Sequence, residues 1–244
     1  MSAAVITVPA FASSRDGIRH FFGTRGHADS LALEVGVPTR HPGEQGRGWL
    51  ISVKQVHGTD ALVVDRPLTE SDQFPGGWDA LVTDQPGVTV AVRTADCVPV
   101  LLHDPRKRVV AAIHAGWRGA VAGIVSKTLR LMAVRFGSMQ SDLRVSIGPS
   151  AGPCCYEVDN PVLDQLRVGW PDWESVVCNL QENKARLDLK ALIRKQVEGA
   201  GVPLSSVSSV NLCTICQDQL FYSYRREGRV NGTMVSGITL LTSR

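Results

Sequence analysis

The sequence predicts an α+β protein, and three observations carry the prediction. Four short segments, Ala80 to Thr83, Val88 to Arg93, Val98 to His103 and Val109 to His114, follow one another as strands, with turns at Pro86-Gly87 and Asp104-Pro105. Connections this short favour antiparallel or mixed pairing, because a parallel crossover needs about a dozen residues or more. From Arg118 to Phe136 the apolar residues Val121, Ile124, Val125, Leu129 and Met132 recur at three and four, the helical period, and Gly137 ends the run. Two more helices are read over Asn160 to Arg167, with Pro161 in the first turn, and Leu187 to Ala200, stopped by Gly201.

The remaining elements are short. Ala4 to Val8, Ile18 to Gly23, Leu143 to Ile147 and Val207 to Leu212 read as strands. Trp49 to Val56 alternates as a strand that delivers His57 to its end, and Ala61 to Val64 reads as its neighbour. His41 to Arg47 and residues 67 to 77, rich in Gly and Pro or polar side chains, read as loops. Gly23-Thr24-Arg25-Gly26 reads as a loop that carries a cation.

A chain of 244 residues holds one large domain or two small ones; no linker is evident, so a single domain over residues 1–244 is expected. The 26 Lys and Arg against 23 Asp and Glu leave a net charge of +3, spread along the chain without a basic block, which argues against nucleic-acid binding. Six cysteines are too few for a disulfide scaffold of this size. The N-terminus lacks a basic signal-peptide region, and no segment has the roughly 18 apolar residues needed to span a bilayer. The chain is expected to be cytoplasmic, with its thiols reduced.

The chemistry concentrates between Thr94 and Gly119. Cys97 precedes one apolar segment, His114 ends the next, and Gly116-Trp117-Arg118-Gly119 opens a helix; His57 is a third candidate from upstream. Two imidazoles and a thiolate make a His₂Cys set that leaves the fourth tetrahedral position of zinc open for water, whose pKa the metal lowers toward about 7. Their spacing matches no local zinc motif, so packed or hydrogen-bonded side chains remain the plain alternative. A rival chemistry uses the same residues without metal, Cys97 serving as a nucleophile activated by His114 or His57. Free amides at the helix start and the Arg118 guanidinium suit phosphate, the alternative being a tight turn with Trp117 packed beneath it. Alternation along a strand turns Asp96 away from the face of Cys97 and leaves it an orienting role. Cys213-x-x-Cys216 and Cys154-Cys155 are read as packing, since the adjacent pair does not easily complete a four-thiolate site. His103, beside Asp104-Pro105, is read as a turn residue.

These stretches resemble the YfiH-like family, whose members were once described as polyphenol oxidoreductases or laccase-domain proteins. The residues that carry the resemblance are Lys54-Gln55-Val56-His57-Gly58, Thr94-Ala95-Asp96-Cys97-Val98-Pro99-Val100-Leu101 and His114-Ala115-Gly116-Trp117-Arg118-Gly119. Ile147-Gly148-Pro149, Cys154-Cys155-Tyr156-Glu157-Val158, Cys213-Thr214 and Phe221-Tyr222-Ser223-Tyr224-Arg225-Arg226 add to it, in order along nearly the whole chain. The resemblance implies a single catalytic domain with a mixed, largely antiparallel β core flanked by helices, and a zinc on His57, Cys97 and His114. It also implies phosphorolysis of adenosine, inosine and methylthioadenosine, deamination of adenosine, and substrate or phosphate contacts from Arg118 and Arg25. Purine nucleoside and phosphate are then the partners, without nucleic acid or membrane, and with a homodimer open. Some members are linked instead to removal of serine from a peptidoglycan precursor, which makes a zinc amidase the alternative, beside a metal-free cysteine hydrolase. Two stretches depart from the family pattern: His27-Ala28-Asp29-Ser30 after Arg25-Gly26, and Gly228-Arg229-Val230-Asn231-Gly232 in the tail. Copper suits the chain less well than zinc, because a multicopper centre needs a histidine-rich cluster that six scattered histidines do not supply.

Overall fold

The computed structural model describes residues 5–9, 17–28, 34–41 and 48–242. The first nine strands are β1 Val5–Ile6, β2 Ile18–Gly23, β3 Thr39–His41, β4 Gly48–Ile51, β5 Ala61–Val64, β6 Ala80–Thr83, β7 Val88–Thr94, β8 Val98–Asp104 and β9 Val109–Ala115. Six more follow: β10 Arg144–Ile147, β11 Glu157–Asp159, β12 Val177–Cys178, β13 Lys184–Leu187, β14 Val207–Ser209 and β15 Met234–Leu240. The helices are α1 Arg25–Ala28, α2 Trp117–Val121, α3 Ile124–Phe136, α4 Asn160–Gly169, α5 Leu189–Gly199 and α6 Tyr224–Glu227.

These strands form two six-stranded sheets and one of three. The first runs β1-β2-β15-β7-β4-β3, the second β14-β10-β8-β9-β6-β5, and the small one β11-β13-β12. Among the described pairings only β4 with β7, β5 with β6 and β10 with β14 are parallel. The result is the α+β arrangement with a mixed, largely antiparallel core.

Every residue of β8 and β9 is buried, because the second sheet is covered on both faces. Val98, Val100 and Leu102 of β8, with Val109, Ala111 and Ile113 of β9, join Leu129, Met132, Leu163, Leu192 and Ile193 of the helices in one core. On the opposite face Leu101, Val110 and Ala112 meet Ile51, Val90, Val92 and Ile238 of the first sheet in a second core. His114 lies two residues past Ala112 on β9, so strand alternation points it toward the first sheet rather than the helices.

Several elements differ from the sequence reading. Ala61–Val64 pairs with β6 in the second sheet and is not the neighbour of β4. The strand read over Trp49 to Val56 continues past Ile51 only as isolated bridges at Ser52 and Lys54. The helix read from Arg118 to Phe136 is two helices, broken where Gly123 takes a left-handed φ of 82°. Of the loop read over His41 to Arg47, His41 closes β3 and residues 42–47 lie outside the described residues, as does Ala4 of the first strand. Arg25 opens the single turn of α1 rather than a loop. His103 is a buried residue of β8, not of the turn, because β8 runs one residue further, to Asp104, whose carboxylate accepts the amides of Arg106 and Lys107 in the turn itself. Among the described residues no helix is long and apolar enough to cross a membrane.

Candidate metal centre and cleft

His57, Cys97 and His114 come together from three parts of the chain. Their donor atoms all lie within 4.8 Å of one another. Cys97 Sγ stands 3.8 Å from His57 Nε2, and the two imidazole rings meet edge to face with centroids 4.8 Å apart. His57 sits in a bend with φ 59°, and Cys97 ends the bend between β7 and β8.

The residue that assembles this group is Asp79, at the entrance to β6 and fully buried. Its Oδ1 lies 2.7 Å from His114 Nδ1 and accepts the His57 amide at 2.9 Å, while Oδ2 accepts the amides of Gly58 at 2.6 Å and Val56 at 3.2 Å. Burial pushes the Asp79 carboxyl up, but His114 and the amides outweigh it and hold it below the ordinary carboxylate range. An ionised carboxylate only accepts, so His114 Nδ1 carries a proton toward it and Nε2 is the nitrogen that faces the cluster. This is the carboxylate–histidine arrangement that orients metal ligands. Sequence reasoning missed Asp79; the available signal was a lone acid between Trp78 and the apolar run of β6.

Burial pushes the Cys97 thiol up, yet the charge of His114 and hydrogen bonds from both histidines bring it down to about 6. Burial lowers His114, and the thiolate together with Asp79 raises it to about 9. A thiolate is thus available, the form that a metal or an electrophile meets. Gly116 leaves the necessary room: a Cβ there would lie 2.7 Å from His57 Cδ2 and 3.2 Å from Cys97 Sγ.

Asp96 has φ 94° and sits in the bend, so its orientation comes from a turn rather than from strand alternation. Its carboxylate accepts Thr214 Oγ1 at 2.6 Å, Ser223 Oγ at 3.0 Å and the Arg225 amide at 2.7 Å, which pins the turn before Cys97 to the tail.

The three donors face a cleft of about 620 Å³. Its walls include Lys54, Arg93, Arg118 and Arg225 with the rings of Trp117, Tyr156 and Tyr224. The Arg118 guanidinium stacks on Trp117 at 4.3 Å, and Arg225 lies 5.1 Å from the Tyr156 ring while donating to the Glu157 carbonyl. The helix start that carries Arg118 belongs to the five-residue α2, which opens at Trp117 after Gly116 without a side-chain cap. Arg25 is not among the residues lining this cleft. Its guanidinium donates to Glu227 at 2.7 Å and to the Phe221 carbonyl at 3.0 Å and covers the Tyr222 ring, joining the N-terminal segment to the tail.

Residues 41–241 match the model of the family described as multi-copper polyphenol oxidoreductase laccase. The chain belongs to that family. Among relatives of this laccase-family chain, the purine nucleoside phosphorylase YlmD of Geobacillus stearothermophilus is 38% identical over 202 residues, 77% of this chain and 71% of the relative. The adenosine deaminase RL5, from an unknown prokaryotic organism, is 30% identical over 260 residues, 93% of this chain and 96% of the relative. The crystal structure of YlmD from Geobacillus stearothermophilus superposes with a TM-score of 0.81 at 31% identity, over 99% of this chain and 98% of that one. The hypothetical protein YfiH of Bacillus licheniformis gives a TM-score of 0.81 at 28% identity, over 98% and 97%.

The family description speaks of several coppers. Among the described residues, however, only two histidines take part in a metal-capable group, both of them in the His57–Cys97–His114 set. A second group holds Cys154, Cys155, Cys213 and Cys216, which the sequence reading assigned to packing. Strand-like alternation would send the adjacent pair apart, but Cys154 and Cys155 lie in a turn where both sulfurs converge.

Proposed function

We propose that this chain is a zinc-dependent purine nucleoside enzyme that carries out phosphorolysis of adenosine, inosine and methylthioadenosine and deaminates adenosine. The observation that carries the reading is the placement of a three-donor His₂Cys group, braced by Asp79, on a cleft walled by cations and aromatic rings. The names of the relatives, purine nucleoside phosphorylase and adenosine deaminase, support the substrate class. Two imidazoles and a thiolate fit zinc, and glycine at position 116 keeps a Cβ from crowding His57 and Cys97. Bound there, zinc supplies a Lewis acid with an open coordination position.

The chain's own residues do the rest. Trp117, Tyr156 and Tyr224 offer flat faces against which a purine stacks. Burial pushes the Tyr156 phenol up to about 12, so it stays protonated at the cleft wall. Arg118, held flat on Trp117, presents its fork to phosphate, and Arg225 adds a second cation on the same wall. Asp79 fixes the tautomer and direction of His114. Arg25 acts at one remove, by bracing the tail that carries Tyr224 and Arg225.

Incubation of the purified protein with adenosine and phosphate tests the reading. Phosphate-dependent release of adenine is expected, and its loss in Cys97→Ala; unchanged turnover in that variant overturns the assignment. One observation favours a second reading, a metal-free cysteine hydrolase: Cys97, His114 and Asp79 also form a thiolate–imidazole–carboxylate relay. A tight zinc chelator abolishes turnover under the first reading and spares it under the second. A serine-bearing muropeptide nucleotide assayed beside adenosine distinguishes both from a zinc amidase.

A further inference from the structure

We propose that Cys154, Cys155, Cys213 and Cys216 form a second metal site, a tetrathiolate zinc centre that holds two loops together behind the catalytic cleft. The four sulfurs lie within 4.8 Å of one another, with Cys155 3.2 Å and Cys154 3.6 Å from Cys216. Zinc–sulfur bonds of about 2.3 Å set the edges of a ZnS₄ tetrahedron at roughly 3.8 Å, inside this range. All four cysteines are free thiols rather than paired.

The surroundings suit a dianionic centre. The backbone amide of Gly152 donates to Cys213 Sγ at 3.3 Å. Amide donors aimed at a ligating sulfur are the usual support of a thiolate metal site. Four thiolates and one zinc carry two negative charges, and two cations stand beside them. Arg186 Nη1 bonds the Cys154 carbonyl, and Lys190 Nζ bonds the carbonyls of Val210 and Leu212 at 2.8 and 2.9 Å. Packing alone gives no reason for four sulfurs to converge where Cys154 and Cys216 are exposed and contribute little to a core.

The two loops leave β10 and β14 and are joined by the Ser150–Cys213 bridge and by backbone bonds from Thr214 to the Ser150 carbonyl at 3.0 Å, from Ser150 to that of Leu212 at 3.4 Å and from Val210 to that of Ile147 at 2.8 Å. Each loop also reaches the cleft. Tyr156 follows Cys155 directly and lines the cleft, and Thr214, between the ligands Cys213 and Cys216, holds Asp96 beside Cys97. Metal at the four cysteines therefore fixes one wall of the cleft and the turn that presents Cys97, and it does so whatever reaction the cleft performs.

Metal analysis of the whole chain, purified under reducing conditions, tests the site independently of activity. We expect two zinc ions per chain in the wild type, one in Cys154→Ser/Cys216→Ser and one in His57→Ala/His114→Ala. Should the cysteine variant fail to fold, cobalt(II) substitution of the histidine variant decides. Its thiolate-to-cobalt charge-transfer absorption is expected near fourfold that of a single-thiolate centre. Zinc content unchanged by the cysteine substitutions, no metal in the histidine variant, or a disulfide among the four in protein alkylated under nitrogen overturns the proposal.

Discussion

Replacing Asp79 with asparagine isolates the one residue that links loop, tautomer and metal. The carboxylate accepts four hydrogen bonds, from the amides of Val56, His57 and Gly58 and from His114 Nδ1. Asparagine keeps the shape but only one accepting oxygen. With that oxygen facing Gly58 and Val56, its NH₂ meets the His57 amide, donor against donor, and His114 Nδ1. The part-buried His57 amide loses its acceptor, at a cost of about 1 kcal/mol. His114 Nδ1 becomes an acceptor, so a neutral imidazole, the form that binds metal, carries its proton on Nε2, the atom that faces Cys97. Loss of such an orienting partner costs about 10–100-fold in metal affinity, or roughly 1.4–2.7 kcal/mol. Competition for zinc against a chromophoric chelator measures this directly, with thermal unfolding recorded in parallel. A variant that unfolds at a lower temperature yet takes zinc as tightly as the wild type would refute the argument, and would leave Asp79 as a brace of the His57 loop alone.

Three other substitutions follow from the same geometry. Gly116→Ala places a methyl 2.7 Å from His57 Cδ2 and 3.2 Å from Cys97 Sγ, so zinc binding is expected to fall at least tenfold while the far-ultraviolet circular dichroism stays unchanged; equal zinc affinity would contradict it. Arg118→Ala removes the guanidinium stacked on Trp117 and is expected to raise the KM for phosphate about 10–100-fold, with the KM for adenosine little altered; parallel changes in both would place Arg118 elsewhere in the reaction. Gly123→Ala meets open space but forces a left-handed φ of 82° on an L-residue, costing about 1–2 kcal/mol and lowering the unfolding midpoint by roughly 2–8 °C; an unchanged midpoint in calorimetry speaks against strain at the break between α2 and α3.

The second sheet was legible because its strands are short, apolar and separated by strong turns; β6 matches its expected bounds, and β7, β8 and β9 each run a single residue longer. Pairing partners were not legible. Ala61–Val64 follows β4 in sequence, yet which sheet it joins depends on the course of residues 65–79 and not on its own apolar pattern. The last strand, Met234–Leu240, lies in the middle of the first sheet but holds Ser236 and Gly237, so its composition hid its place. At the site, His57, Cys97 and His114 were found by residue type, and the structure brings their donors together. Asp79 was missed because an acid at a strand entrance looks like a turn residue until its four donors are in view. The convergence of the four cysteines was not legible because an adjacent pair has no familiar ligand spacing, whereas the turn at Cys154 and Cys155 brings both sulfurs near Cys216.

The tie between Asp96 and the tail also has a meaning for the order in which the molecule is made. The partners of that carboxylate, Thr214, Ser223 and Arg225, come 118, 127 and 129 residues later. β7, which leads into Asp96, has β15 as its partner on one side. A growing chain therefore carries Cys97 long before the side-chain partners of Asp96 and the last strand of the first sheet have been made. The first sheet is complete only when β15, the last strand, takes its place between β2 and β7.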